Sequence, residues 1–199
     1  MFHPSIDIRS ARHDEKPQTV AAIVAAFITD PIARFAWPRP HDYLQAAPAA
    51  TTEFAGGAFE HGTAYVSPDF RGAALWLPPD VHPNGEVLEQ IFRRTAPPAR
   101  LDDLLMTFER MGESHPEEPH WYLPMIGVEP FAQAKGLGAA LMRHAVARCE
   151  HEGILAYLES SNPRNISLYL RYGFEPTGEI QIGAAPLVTP MVRRPGRLR

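Results

Sequence analysis

Between Pro17 and Phe27 the apolar residues Val20, Ile23, Val24 and Phe27 recur at three- and four-residue intervals, which predicts an amphipathic helix. The same periodicity returns over Glu86–Thr95, through Val87, Leu88, Ile91 and Phe92. It returns again over Leu101–Glu113, through Leu104, Leu105, Phe108 and Met111. Pro31 and Pro38 read as breaks, and a weaker pattern over Asp42–Phe54 predicts a helix interrupted by Pro48. Short alternating or apolar runs predict strands at Ser5–Arg9, Thr63–Ser67 and Ala73–Leu77, the last two joined by a turn over Pro68–Gly72. The second half is more regular. Trp121–Val128 is apolar almost throughout, as a buried strand is. A helix over Lys135–Glu152 follows, opened by a Gly-rich turn and ended by Gly153. Next come a strand over Ile154–Glu159, a short helix over Arg164–Tyr172 stopped by Gly173, and strands at Glu179–Ile182 and Leu187–Val192. This order predicts an α/β fold, a mixed sheet with helices on its faces.

Composition narrows the class. The chain has 199 residues, 45% of them apolar and 21% charged, which suits one globular domain over 1–199. A net charge of −4 leaves no general electrostatic footprint for nucleic acid. The first sixteen residues, Met1 to Lys16, contain no apolar core of a signal peptide, and no apolar run is long enough to span a membrane. Cys149 is the single cysteine, so no internal disulfide forms, and a reducing, cytoplasmic setting is expected. The same cysteine sits near a helix C-terminus, where the helix dipole disfavours a thiolate nucleophile. The histidines show no metal-ligand spacing, so no metal is expected. The 21 prolines cut the first two-thirds of the chain into short pieces without forming a repeat.

Chemistry concentrates in Ile126-Gly127-Val128 and, five residues on, Gln133-Ala134-Lys135-Gly136-Leu137-Gly138-Ala139. A strand ends at Val128 and a helix begins near Lys135, so two glycines without Cβ atoms precede unpaired first-turn amides and a positive dipole end. A pyrophosphate fits such a place, with Lys135 adding a point charge; the alternative is that the glycines only let the helix pack on the sheet. A dinucleotide loop needs a third glycine directly after the first strand, and a P-loop needs its lysine after the last glycine. Neither pattern fits.

The pattern resembles the [Q/R]-x-x-G-x-[G/A] loop of the GNAT family of acetyl-CoA-dependent N-acetyltransferases. Asn162-Pro-Arg-Asn165-Ile-Ser-Leu168-Tyr169, then Gly173-Phe174, is similar to the family's second signature, with Asn165 replacing a usual small residue. His120–Val128 and Leu158–Asn165 look like the branch that contains puromycin N-acetyltransferase. The resemblance covers residues 119–175 most closely. It implies a mostly antiparallel central sheet, with 1–118 on the acceptor side and 119–199 binding acetyl-CoA. The backbone of Ile126, Gly127 and Val128 would hold the pantetheine arm like an added strand. The amides of Gln133 to Ala139 would hold the pyrophosphate, with Asn162 and Asn165 beside the cofactor. It implies no metal, a small-molecule amine as acceptor, and leaves room for a homodimer.

Tyr169 occupies the family's tyrosine position, which makes it the general acid for the departing thiolate; the alternative is a core aromatic. The base is open. Some relatives carry a glutamate six residues before the strand end, where this chain has Tyr122. His120 projects from the same strand face, Glu109 and Glu159 are further candidates, and a water chain is another. Phe27, Trp37, Tyr43, Trp76 and Phe108 are candidate walls of the acceptor pocket. Acetyl transfer to a primary amine is the leading function. A non-catalytic acyl-CoA-binding or sensing module and a protein N-acetyltransferase are the alternatives.

Overall fold

A computed structural model describes residues 6–196. Its seven strands are β1 (Arg9–Ser10), β2 (Ala64–Val66), β3 (Gly72–Leu77), β4 (His120–Val128), β5 (Leu155–Ser160), β6 (Glu175–Pro176) and β7 (Thr189–Arg193). They form one sheet in the order β1-β2-β3-β4-β5-β7-β6. The sheet is mixed: β4 and β5 run parallel, and the other pairings among the described strands are antiparallel.

Strand side chains alternate between two cores. Val66, Ala73, Leu75, Leu77, Tyr122 and Tyr157 face one side, where six helices cover them. These are α1 (Lys16–Ala26), α2 (Pro31–Ala36), α3 (Pro40–Ala55), α4 (Gly57–Glu60), α5 (Gly85–Thr95) and α6 (Pro98–Glu113). Tyr65, Ala74, Trp76, Trp121, Leu123, Ala156 and Leu158 face the other, beneath α7 (Leu137–Glu152) and α8 (Pro163–Arg171). Burial of Leu137, Ala140, Leu141, Met142, Ala145, Val146 and Cys149 seats α7 by one apolar stripe.

Several expectations need correction. Pro31 starts a helix instead of breaking one, because at the first helical position its missing N–H costs nothing. Asp30 caps that helix, accepting from the amides of Ile32 and Ala33 at 3.0 and 3.1 Å. Helix α3 continues through Pro48, held by its buried face of Tyr43, Ala46, Ala47, Ala50 and Thr51. The short α4 was not anticipated. The first strand is Arg9–Ser10, not Ser5–Arg9, and Ser5 lies outside the described residues. The closing pair of strands is also shifted: Ile180 and Val188 meet only in an isolated bridge, while β7 pairs with β5 and with β6. Helix α7 starts at Leu137, not Lys135, because Gly136 at φ +82° is its left-handed cap.

One close approach sets where α1 lies. A Cβ on Gly127 would sit 2.4 Å from the Ala26 Cβ, so β4 and α1 touch backbone to side chain. Gly127→Ala is expected to destabilise the fold by ~1–3 kcal/mol. Urea denaturation should show a lower midpoint with an unchanged slope; a wild-type midpoint would mean that α1 does not rest on Gly127.

Candidate active site

Strands β4 and β5 pair only from His120–Leu155 to Tyr122–Tyr157 and then part. The cause is local. Pro124 has no N–H to give to a ladder. Opposite β3, the register slips between Leu75–Met125 and Leu77–Tyr122, so β4 carries a bulge there. The bulge flips the alternation: Trp121 and Leu123 face the α7 side, as do Ile126 and Val128. Two cavities open where the strands separate.

The first is a cleft of about 470 Å³ along the free end of β4 and the start of α7. Ile126, Gly127, Val128, Gln133, Ala134, Gly136, Leu137, Gly138, Ala139, Asn162 and Asn165 all line it. The turn bends through Ala134 at φ +60° and Gly136 at φ +82°. Gln133 closes it by donating from Nε2 to the Val128 carbonyl at 3.0 Å. The first intrahelical bond of α7 runs from the Ala140 amide to the Gly136 carbonyl at 3.0 Å. The amides of Leu137, Gly138 and Ala139 therefore precede the helical ladder at the wall of the cleft. Lys135 is the expected residue that the cleft does not include: its Nζ donates to the Phe131 carbonyl at 2.9 Å. Asn162 caps α8, its Oδ1 accepting from the Arg164 amide at 3.1 Å. Arg164 and Arg171 line the cleft as well and bring positive charge that the sequence reading did not assign. Their signal was basic residues set within the second motif.

The second cavity lies on the helical side, between Leu123–Ile126 on one wall and Leu158–Glu159 on the other. Phe27, Trp37, Tyr43 and Phe108 line it as expected, joined by Phe54 and Phe92. Trp76 does not; it points to the opposite core under α7. The two cavities share Phe27, Asp30, Ile126, Asn165 and Tyr169, so these residues stand at their junction.

At that junction Tyr169 is 5% exposed, its ring 6.2 Å from that of Phe174. Burial, with the Asp30 charge adding, pushes its phenol above the ordinary value, so it stays protonated at neutral pH and can donate. Asp30 is buried too, and burial pushes its carboxyl up despite its hydrogen bonds. Its Oδ2 accepts from Ser161 Oγ at 2.5 Å, which ties the start of α2 to the end of β5. The signal for Asp30 in the sequence was an Asp placed directly before a helix-opening proline.

The base candidates separate in space. His120 and Glu109 line a third cavity of about 680 Å³ away from the junction, with His82 and His115. Burial lowers the pKa of His120. Tyr122 is buried among Phe54, His115 and Tyr157, and burial with the nearby Glu159 raises its phenol well above the ordinary value. Glu159 lines the acceptor-side cavity with its side chain 1% exposed. Cys149 lies on the buried face of α7 with its thiol pushed up to about 12 by burial, far from a reactive thiolate.

Comparison with known proteins agrees with this geometry. Residues 102–174 match the model of the Acetyltransferase (GNAT) family. An N-acetyltransferase of Schizosaccharomyces pombe is 25% identical over 178 residues, covering 79% of this chain and 69% of the yeast protein. A Corynebacterium glutamicum structure described as histone acetyltransferase HPA2 and related acetyltransferase has 28% identity and a TM-score of 0.68, covering 96% of this chain and 97% of its own. The Drosophila melanogaster polyamine N-acetyltransferase, at 16% identity, shares the fold with a TM-score of 0.67, covering 94% of this chain and 99% of its own. Among the described residues no helix is long and apolar enough to cross a membrane. With the split sheet and the glycine turn ahead of α7, these matches make residues 102–174 similar to the GNAT family of acetyltransferases, and the fold of the whole chain similar to that of solved acetyltransferases.

Proposed function

We propose that the chain transfers an acetyl group from acetyl-CoA to a primary amine of a small molecule. The observation that carries this reading is the junction: Tyr169, Asp30 and Asn165 stand where a cleft lined by helix-start amides meets an aromatic cavity. The glycine turn and the amides of Gln133 to Ala139 would take the pyrophosphate, with Arg164 and Arg171 countering its charge. The free edge at Ile126–Val128 would take the pantetheine amides as an added strand. An amine in the aromatic cavity then attacks the acetyl carbonyl, the carbon–sulfur bond breaks, and Tyr169 gives its phenolic proton to the departing sulfur. Phe27, Trp37, Phe54, Phe92 and Phe108 suit an acceptor whose amine is carried on an apolar body. Support for a small amine comes also from the Drosophila neighbour, whose enzyme forms N-acetylagmatine.

Thiol release from acetyl-CoA, screened over a panel of primary amines, tests the reaction directly. Binding is tested first by thermal denaturation. Acetyl-CoA and CoA should each stabilise the chain by ~2.7 kcal/mol at a hundredfold excess over Kd, with NADH and ATP far weaker. Equal stabilisation by all four ligands would sink the assignment.

Gly138 isolates the loop's role. A Cβ there meets only Leu168 and Val128 at 3.7 and 3.8 Å, ordinary contact distances, so the protein itself has room for it. Gly138→Val should leave the ligand-free midpoint nearly unchanged and weaken CoA binding at least tenfold by titration calorimetry. Gly136 is the poorer test, because any substitution at φ +82° adds ~1–2 kcal/mol of backbone strain. Normal CoA affinity in Gly138→Val would make the glycines a packing device.

Tyr169→Phe keeps the buried ring and removes the donor. Its kcat on the best amine should fall by ~10²-fold with acetyl-CoA affinity unchanged. Wild-type kcat in that variant removes Tyr169 from the chemistry.

A further inference from the structure

Glu159 poses a problem of charge. Its side chain is 1% exposed, and although the Tyr122 and Tyr157 phenols stand beside it, Oε1 and the Tyr157 hydroxyl lack a well-formed hydrogen bond. A buried carboxylate left so is costly unless something arrives to use it. One wall of the acceptor-side cavity is this residue. Behind it, His115 Nε2 stands 3.4 Å from Oε1, and His115 Nδ1 lies 2.9 Å from His120 Nε2. His120 Nδ1 in turn lies 2.9 Å from the Glu118 carbonyl, at an exposed position.

These contacts dictate where protons sit. A carbonyl oxygen only accepts, so His120 Nδ1 carries a hydrogen. Neutral His120 then has a bare Nε2, which requires a hydrogen on His115 Nδ1. His115 Nε2 would be left bare against a carboxylate oxygen, two lone pairs facing one another. One proton therefore belongs to the His115–Glu159 pair. Placed on His115 Nε2, that proton gives Glu159 Oε1 the donor it lacks; the His115 ring stands 4.5 Å from the rings of both Tyr122 and Tyr157.

We propose that Glu159 takes the proton of the incoming ammonium and that His115 and His120 carry a proton out to solvent beside Glu118. The proposal rests on acetyl transfer at the Tyr169 junction, and it balances. The ammonium N–H bond breaks as the carboxylate gains an O–H, leaving a neutral amine. As the carboxyl forms, the Nδ1 proton of the His115 imidazolium moves to the bare His120 Nε2, which leaves His115 neutral with its Nε2 proton facing Glu159. The proton on His120 Nδ1 leaves to water. One proton enters, one leaves, and nothing is oxidised or reduced. Glu159 is the catalytic residue of the set; His115 and His120 act through it. Other titratable groups around the relay are Tyr122 and Tyr157, which burial keeps as neutral phenols, and Glu109 and His82 in the cavity that His120 lines. Outside stands Glu118, paired with Arg194 at 3.6 Å.

Two measurements test it, the first without any acceptor. Nitrogen-15 NMR of the histidines at neutral pH should show His120 protonated on Nδ1 and His115 protonated on both nitrogens. Glu159→Gln should return His115 to a neutral ring. An unchanged His115 spectrum in Glu159→Gln overturns the proposal whether or not any amine is acetylated. The second compares an alkylamine, charged at neutral pH, with an arylamine that is already neutral. Glu159→Gln should cost the alkylamine about 100-fold in kcat/KM, within the ~10²–10⁴ range of positioned proton transfer. The arylamine should lose at least tenfold less, and raising the pH should recover the alkylamine rate. His115→Gln and His120→Gln should shift the acidic limb of the alkylamine profile upward in pH with acetyl-CoA affinity unchanged. Equal losses on the two amines, or none, overturn the relay and leave acetyl transfer standing. No turnover of any amine by the wild-type chain overturns the acetyl-transfer reading itself.

Discussion

The parting of β4 from β5 is the constraint on which the rest of the molecule depends. A parallel pair held by a few residues at its base, and denied a ladder bond at Pro124, must open as each strand follows its own twist. The opening leaves backbone groups of β4 unpaired in the middle of a sheet, where sheets ordinarily have none. Those groups, and the helix start that faces them, are the elements of a binding cleft. Burial on both faces keeps the strands from closing the gap: α7 braces one side, and α1 at Gly127 braces the other.

A split sheet alone would leave two loosely related halves, and Asp30 joins them. One carboxylate oxygen caps α2 and the other holds Ser161 at the exit of β5. The helices that wall the aromatic cavity are thereby registered against the strand that carries Glu159. The same carboxylate lies near Tyr169 and helps keep its phenol protonated. One residue thus joins the two halves and adds to what burial does to the Tyr169 phenol.

The cavities on the helical side share walls but differ in character. The one beside Tyr169 is aromatic, with Asp30 and Glu159 as buried carboxylates. The one beside His120 is larger, and Phe54, Phe92, Phe108 and Met111 form the partition between them. Glu159, His115 and Tyr122 meet at that partition.

Local pattern carried much of this in the sequence. Helix α7, its glycine turn and the Asn162–Phe174 motif were legible because period, cap and motif are properties of neighbouring residues. So were α1, α5 and α6, each with a buried face, and strands β2 and β3, short apolar runs buried on both faces. Pro31 and Pro48 misled because proline's effect depends on its place in a helix that only packing defines. The last strands were misplaced because β7 finds its partners across the sheet, through β5. Counting back along β4 reached Tyr122, with His120 on the same face, and both do stand against His115 and Tyr157; the bulge between Tyr122 and Met125 could not be read from the spacing. Tertiary structure alone decided that Asp30 reaches Ser161, that His115 backs Glu159, and that Trp76 faces away from the acceptor cavity. The reason is physical: a side chain's spacing is written along the chain, while its partner is chosen by how distant strands and helices close around a core.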